Sequence, residues 1–153
     1  MEEAQARRYS TRRRAIVEAL AVELERINGS APFRTSVAKV ERRLKFWDEF
    51  TEFPTIHVGA GSETREYEGG GFRFRFLRIT VRCYVSDDND VIEALEELLE
   101  DVETVLEDKD PLTYYDSTGT SQSTVQTTIG TVTTDEGVLE PLGVGEITIE
   151  IRY

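Results

Sequence analysis

The segment from Phe72 to Val85 constrains the fold most, because only an extended chain can use its pattern. Phe72, Phe74 and Phe76 alternate with Arg73 and Arg75. Leu77, Ile79, Val81, Cys83 and Val85 then carry the apolar side on against Arg78, Thr80, Arg82 and Tyr84. Successive side chains of a strand point to opposite faces, so this reads as one long strand whose apolar face is central to the core. The other face reads as a ladder of arginines at 73, 75, 78 and 82, which seek carboxylates from this chain or another. Cys83 falls on the apolar side and reads as a core residue. It is the only cysteine among 153 residues, which excludes an internal disulfide framework and a cysteine-based zinc site.

Two helical patterns flank this strand. Ile16, Leu20, Leu24 and Ile27 recur at spacings of four, four and three, which predicts a helix from about Ser10 to Ile27. Ser10 or Thr11 caps its start and Asn28-Gly29 supplies the stop. Arg12, Arg13 and Arg14 occupy its first turn, where the helix dipole disfavours cations. Such a turn wants an acidic partner, and another subunit could provide it. Val91, Leu95, Leu98, Val102 and Val105 predict a second helix over about Asp90 to Leu106. Its opposite face is almost purely acidic: residues 87–110 hold 12 acidic groups and one lysine. Asp87, Asp88 and Asp90 lack the glycine and closing glutamate of a calcium-binding loop.

The remaining segments read as strands and loops. Alternation predicts strands over Phe33–Arg43, Thr55–Val58, Thr124–Thr134 and Gly143–Tyr153. Phe46, Trp47, Phe50 and Phe53 form an aromatic cluster whose usual fate is core packing. Residues 59–71 and 111–124 read as mobile loops, and residues 1–9 as a flexible terminus. The order of elements predicts one α+β domain over 1–153, with two amphipathic helices packed on one face of a mainly antiparallel β-sheet.

Charge divides the chain. Residues 1–86 hold 16 basic and 12 acidic groups, and residues 87–153 hold 2 basic and 18 acidic ones. A basic and an acidic region on one molecule suit a head-to-tail contact between copies, although a solvated acidic helix after a basic half would look the same. On charge alone the candidate subunit contacts are Arg12, Arg13, Arg73, Arg75 and Arg78 on one side, and Glu96, Glu100 and Glu103 on the other. Glu63, Arg65, Tyr67, Tyr114 and Tyr115 lie on the two expected loops and are the candidate contacts to other proteins.

Several function classes find no support. His57 is the only histidine and reads as a strand residue, so no catalytic triad or metal centre can be drawn, and neither an enzyme nor a cofactor is expected. Gly59-Ala60-Gly61 lacks the following lysine of a phosphate loop. No apolar run reaches membrane-spanning length, and no apolar stretch follows the N-terminal arginines as in a secretory signal. The cluster of Arg7, Arg8 and Arg12 to Arg14 could meet phosphates, but a net charge of −12 opposes tight nucleic-acid binding.

The arrangement resembles a known family. A first helix is followed by Arg34-Thr35-x-Val37-x-x-Val40-x-Arg42, then by Phe53-Pro54-x-Ile56-x-Val58 with Gly61-x-Glu63 downstream. A strand ending Val81-x-x-Tyr84-Val85 leads into the helix Glu93-x-x-Glu96-x-Leu98-Leu99-Glu100-Asp101-Val102-Glu103. Over roughly residues 10–106 this is similar to the tail terminator, or tail completion, proteins of long-tailed bacteriophages; the C-terminal third carries no matching motif. The resemblance implies a structural virion protein of the tail or neck, assembled in the host cytoplasm. It implies a homo-hexameric ring at the head-proximal end of the tail that halts tube polymerisation. The implied partners are other copies of the chain, the tail tube protein and the head connector or neck protein, with DNA only passing through the lumen and no membrane. A neck or stopper component of related fold is the alternative, and a nucleic-acid module built on the N-terminal arginines is a further one.

Overall fold

A computed structural model describes residues 11–43 and 49–153. Helix α1 (Arg12–Leu24) starts where Thr11 caps it, its side chain accepting from the Arg14 amide at 3.3 Å. It ends one turn before the expected stop, but Ile27 remains fully buried beyond it. Gly29 takes the left-handed conformation (φ +84°) that lets the chain reverse there. Helix α2 (Val91–Asp108) begins at Asp90, whose carboxylate accepts from the Glu93 amide at 3.0 Å.

Five strands form the main sheet: β1 (Lys39–Glu41), β2 (Thr55–Tyr67), β3 (Arg73–Ser86), β6 (Gln126–Thr134) and β7 (Leu142–Arg152). Their order is β1-β2-β3-β7-β6, antiparallel except for β1 beside β2. A separate small hairpin pairs β4 (Thr113–Tyr115) with β5 (Ser121–Ser123). Both helices cover one face of the sheet. There Ile56 and Val58 of β2, Leu77 to Val85 of β3 and Ile147 to Ile151 of β7 join the apolar stripes of α1 and α2 in one buried cluster. The expected α+β architecture is therefore the observed one.

Close approach sets α2 against β7. A side chain at Gly143 would begin 2.9 Å from Val91 Cγ2, and one at Gly145 would begin 3.2 Å from Leu95 and Leu99. Glycine at these two positions lets the helix lie directly on the strand.

Four expectations need correction. First, Phe33–Arg43 is not a strand along its length; only Lys39–Glu41 is. Asp101 of α2 is the reason, because its buried carboxylate takes the amides of Arg34 and Thr35 at 2.7–3.1 Å and the Thr35 hydroxyl at 2.6 Å. Those donors are satisfied by a side chain, so the segment needs no ladder. Second, residues 59–67 are not a loop but the far half of β2, which turns into β3 through Gly69–Gly71. Third, much of 111–124 is the β4–β5 hairpin.

Fourth, the long strand does not keep one apolar face. β3 runs from Arg73 to Ser86 as one strand, and from Phe76 onward it pairs with β7 without a register break, so parity is strict. Phe74 and Phe76 share the outer face with Arg78 and Arg82, while Arg73 and Arg75 lie on the helix-facing side with Leu77 and Ile79. The change falls where the sheet ends: β7 pairs with β3 only from Phe76 onward, and beyond it β2 and β3 continue as a two-stranded arm. Neither Arg73 nor Arg75 belongs to the buried cluster, and Arg75 lies instead beside the Tyr153 ring. On the outer face Phe74 instead receives the Arg152 guanidinium, 4.0 Å from its ring centroid.

The aromatic cluster falls partly outside the described residues, at Phe46 and Trp47. Phe50 is buried, but on the outer face, its ring 4.2 Å from that of Tyr84.

Candidate assembly interface

The root of the β2–β3 arm gathers several of the expected contact residues into one polar cluster. Arg12 Nε donates to the Tyr114 hydroxyl at 3.1 Å, and its guanidinium lies 4.9 Å from the Tyr153 ring centroid. The Tyr153 hydroxyl donates to Glu63, which also accepts from Arg65 Nε at 2.7 Å and faces Arg13 Nε at 3.7 Å. Arg75 approaches the same tyrosine ring at 5.8 Å. Burial alone would raise the Glu63 carboxyl; the Tyr153 hydroxyl and the two guanidiniums outweigh it and hold the group below its ordinary range. Arg12 and Arg13 of the first turn of α1 thus find partners within this chain, where the sequence left open that another subunit could supply an acidic one. Arg12 and Arg13 tie α1 to the arm and to the last residue of the chain.

The candidate contacts to other proteins divide accordingly. Tyr67 and Tyr115 are exposed, at 68% and 61%. Tyr114 is not a surface contact: it is 1% exposed and packs in the core beneath α1. Adjacent strand residues alternate between faces, so of Tyr114 and Tyr115 only one can point outward. Glu63 is turned inward to the cluster just described.

The remaining arginines do not form one ladder. Arg73 faces Tyr67 across the arm. Arg78 and Arg82 lie on the outer face opposite Glu150 and Glu146 of β7, at 4.0 and 3.1 Å. His57, beside Arg82 at 3.4 Å, is buried between β1 and β3. Burial, then the Arg82 charge, lower its tendency to protonate, against a smaller pull from Glu41. Burial pushes the Cys83 thiol up to about 12, so it is inert as a nucleophile.

The two ends of the sheet differ in charge. Beside β2, a groove of about 790 Å³ runs along His57 to Gly61 between α1 and the turn after β1, walled by Arg13, Arg14, Arg42, Arg43 and Arg82 against one acid, Glu18. At the opposite end, Glu93, Glu96, Glu97, Glu100 and Glu103 of α2 line a shallow depression that reaches Val132 of β6. Arg34 pairs there with Glu100 at 2.6 Å. Among the described residues the other four glutamates have no ion-pair partner. Burial, followed by the charges of Glu107, Glu100 and Glu96, raises the Glu103 carboxyl. The spacing places these acids together, but Asp101, counted with them, is buried beneath the Arg34–Thr35 segment at the edge of that face. Its position beside Val102 in the apolar stripe was the available signal.

Known proteins share this chain's pattern over nearly its whole length. Residues 10–153 match the model of the bacteriophage tail tube terminator protein family. The chain belongs to that family. Among its relatives is the tail tube terminator protein p142 of Escherichia phage T5, 31% identical over 149 residues, which span 92% of each chain. The match includes the C-terminal third, for which the sequence reading found no motif. This family consists of structural proteins of the phage tail, so the virion tail is where this member belongs. No helix among the described residues is long and apolar enough to cross a membrane.

Proposed function

We propose that this tail terminator acts as a homo-hexameric ring on the head-proximal end of the tail tube. The ring stops further addition of tube subunits and offers its free face to the head connector or neck protein. It works by binding alone, without catalysis or cofactor, and DNA passes through its lumen. Assembly takes place in the host cytoplasm.

The observation that carries this reading is the family match over residues 10–153, in a fold whose two sheet ends carry opposite charge. A contact between unlike ends of identical subunits is heterologous, and with a suitable rotation it closes a ring. The exposed Tyr67 and Phe72 of the arm and Tyr115 of the small hairpin are the side chains offered to the tube or connector. Aromatic residues supply large contact area at low entropic cost.

The test is to add the purified protein to tube subunits that are polymerising. Tubes should stop growing and carry one decorated end. Tubes that lengthen at the same rate at saturating protein contradict the proposal.

A further inference from the structure

The main sheet has two unfinished edges. β6 pairs with β7 on one side and with nothing described on the other. β1 covers β2 only from Thr55 to His57, so among the described residues β2 is open on that side from Val58 to Tyr67. The Gly61 carbonyl on that edge accepts from the Arg13 guanidinium at 3.0 Å, where a neighbouring strand would otherwise stand.

The β6 edge lacks most of the usual protection. Gln126 to Thr134 is nine residues of threonine, valine, isoleucine, glutamine and glycine without a charge or a proline, in a chain that is 31% charged. Edge strands of proteins that stay single normally carry lysine or proline, because a bare edge templates pairing. The one irregularity is the register shift between Ile129 and Thr131. β2 carries a matching shift between Ala60 and Glu63.

Direction and charge agree on what fits this edge. From β2 through β3 and β7 to β6 each neighbour reverses, so β6 runs opposite to β2. A second copy added edge to edge, with its helices on the same side, would place its β2 antiparallel to β6. The C-terminal half of β6 would then oppose Val58 to Gly61. The acids of α2 reach Val132 in that half, and the arginine-walled groove lies along Val58 to Gly61. The like-charged strip of α2 would meet the guanidiniums beside α1 of the next copy.

We infer that copies of this protein join by β-strand addition, β6 of one pairing with the open stretch of β2 of the next, so that the sheet continues from subunit to subunit. This rests on the multimeric reading proposed above and names its contact. Backbone hydrogen bonds supply the join, and the α2 acids against the α1-side arginines select head-to-tail over β6-to-β6 pairing.

The test is cross-linking of a Ser62→Cys/Thr131→Cys chain with a short bismaleimide, in solution and on tail tubes, beside light scattering and negative-stain imaging. Both positions are exposed, and Cys83 is fully buried. The expected result is a ladder of covalent multimers from the double variant. An equal mixture of the two single variants should stop at dimers, and neither alone should cross-link. Dimers from Thr131→Cys alone overturn the head-to-tail contact. A ring seen by imaging without the ladder overturns the strand pairing and leaves the ring. No multimer in solution or on tubes overturns both. As a second variant, Thr131→Lys/Thr133→Lys should lower multimer formation about tenfold or more while the monomer melts as before. Unchanged assembly of that folded variant also overturns the inference.

Discussion

The β2 end and the β6 end of the sheet are made of the same backbone but differ in how far this chain satisfies them. At the β2 end the charged groups are largely engaged. Arg13 bonds Gly61 and faces Glu63, Arg42 holds Glu18 and Glu25, and Arg82 holds Glu146. At the β6 end the strand is uncharged, and four α2 glutamates find no cation among the described residues. One end is ordered by its own pairs; the other is a bare strand beside an unrelieved field. Such asymmetry is what a directional contact between identical subunits requires, and a symmetric pair would not need it.

The largest effect should come from the residue that links the two ends. Asp101→Ala strands the amides of Arg34 and Thr35 under α2 and should cost about 2–3 kcal/mol in chemical denaturation. Its exposed neighbour Glu100→Ala should cost under about 0.5 kcal/mol, despite losing the Arg34 pair. Equal costs would mean that Asp101 does not hold the segment before β1.

Overpacking at the β6 end comes next. Gly143→Ala forces its new Cβ against Val91 and Val85 and should cost about 1–3 kcal/mol, measured the same way. Gly61→Ala, which meets nothing within 4 Å, should be near neutral.

Acid should loosen the β2 end in two stages. His57 resists protonation in the fold, so the unfolded chain binds more protons as pH falls below its ordinary value of about 6.5. Stability is full above that pH and declines beneath it, and His57→Gln should flatten this first decline in a melting-temperature series. Glu63 is held below its ordinary value, so its contribution is present above about pH 4.3 and lost as pH falls further. A melting temperature constant from pH 8 to pH 5.5 would contradict the His57 assignment.

The smallest effect has the opposite sign. Glu103→Gln removes one charge from the α2 strip and should stabilise the free protein by about 0.2–0.5 kcal/mol at neutral pH. The same change should weaken assembly, which separates a surface kept for a partner from one kept for the fold.

Much of this was legible from residues alone. α2 was, because its apolar stripe repeats at helical period and Asp90 caps it; β7 was, because Ile147, Ile149 and Ile151 alternate without interruption. The arm was not, because alternation tells which residues share a face but not where the sheet beneath them ends. Strict alternation does put Phe74 on the face opposite Leu77 to Val85, but it does not show that the sheet beneath Arg73 and Arg75 has ended. Tyr114 and Asp101 were misread for the converse reason: each polar group is buried beside a partner far away in sequence, Arg12 and Thr35 respectively. Of the charged contacts, the acids were located correctly on one helix face. The arginines were grouped as one ladder although 73 and 75 are odd-numbered and 78 and 82 even-numbered, so alternation alone already puts them on opposite faces, as observed.

The most direct test of the account is end-on image averaging of tail tubes capped by this protein. A six-fold ring is expected at one end only, its subunits joined through a sheet that runs from β6 of each to β2 of the next. Tube ends without the protein, or a ring whose β6 edges face solvent, would contradict it.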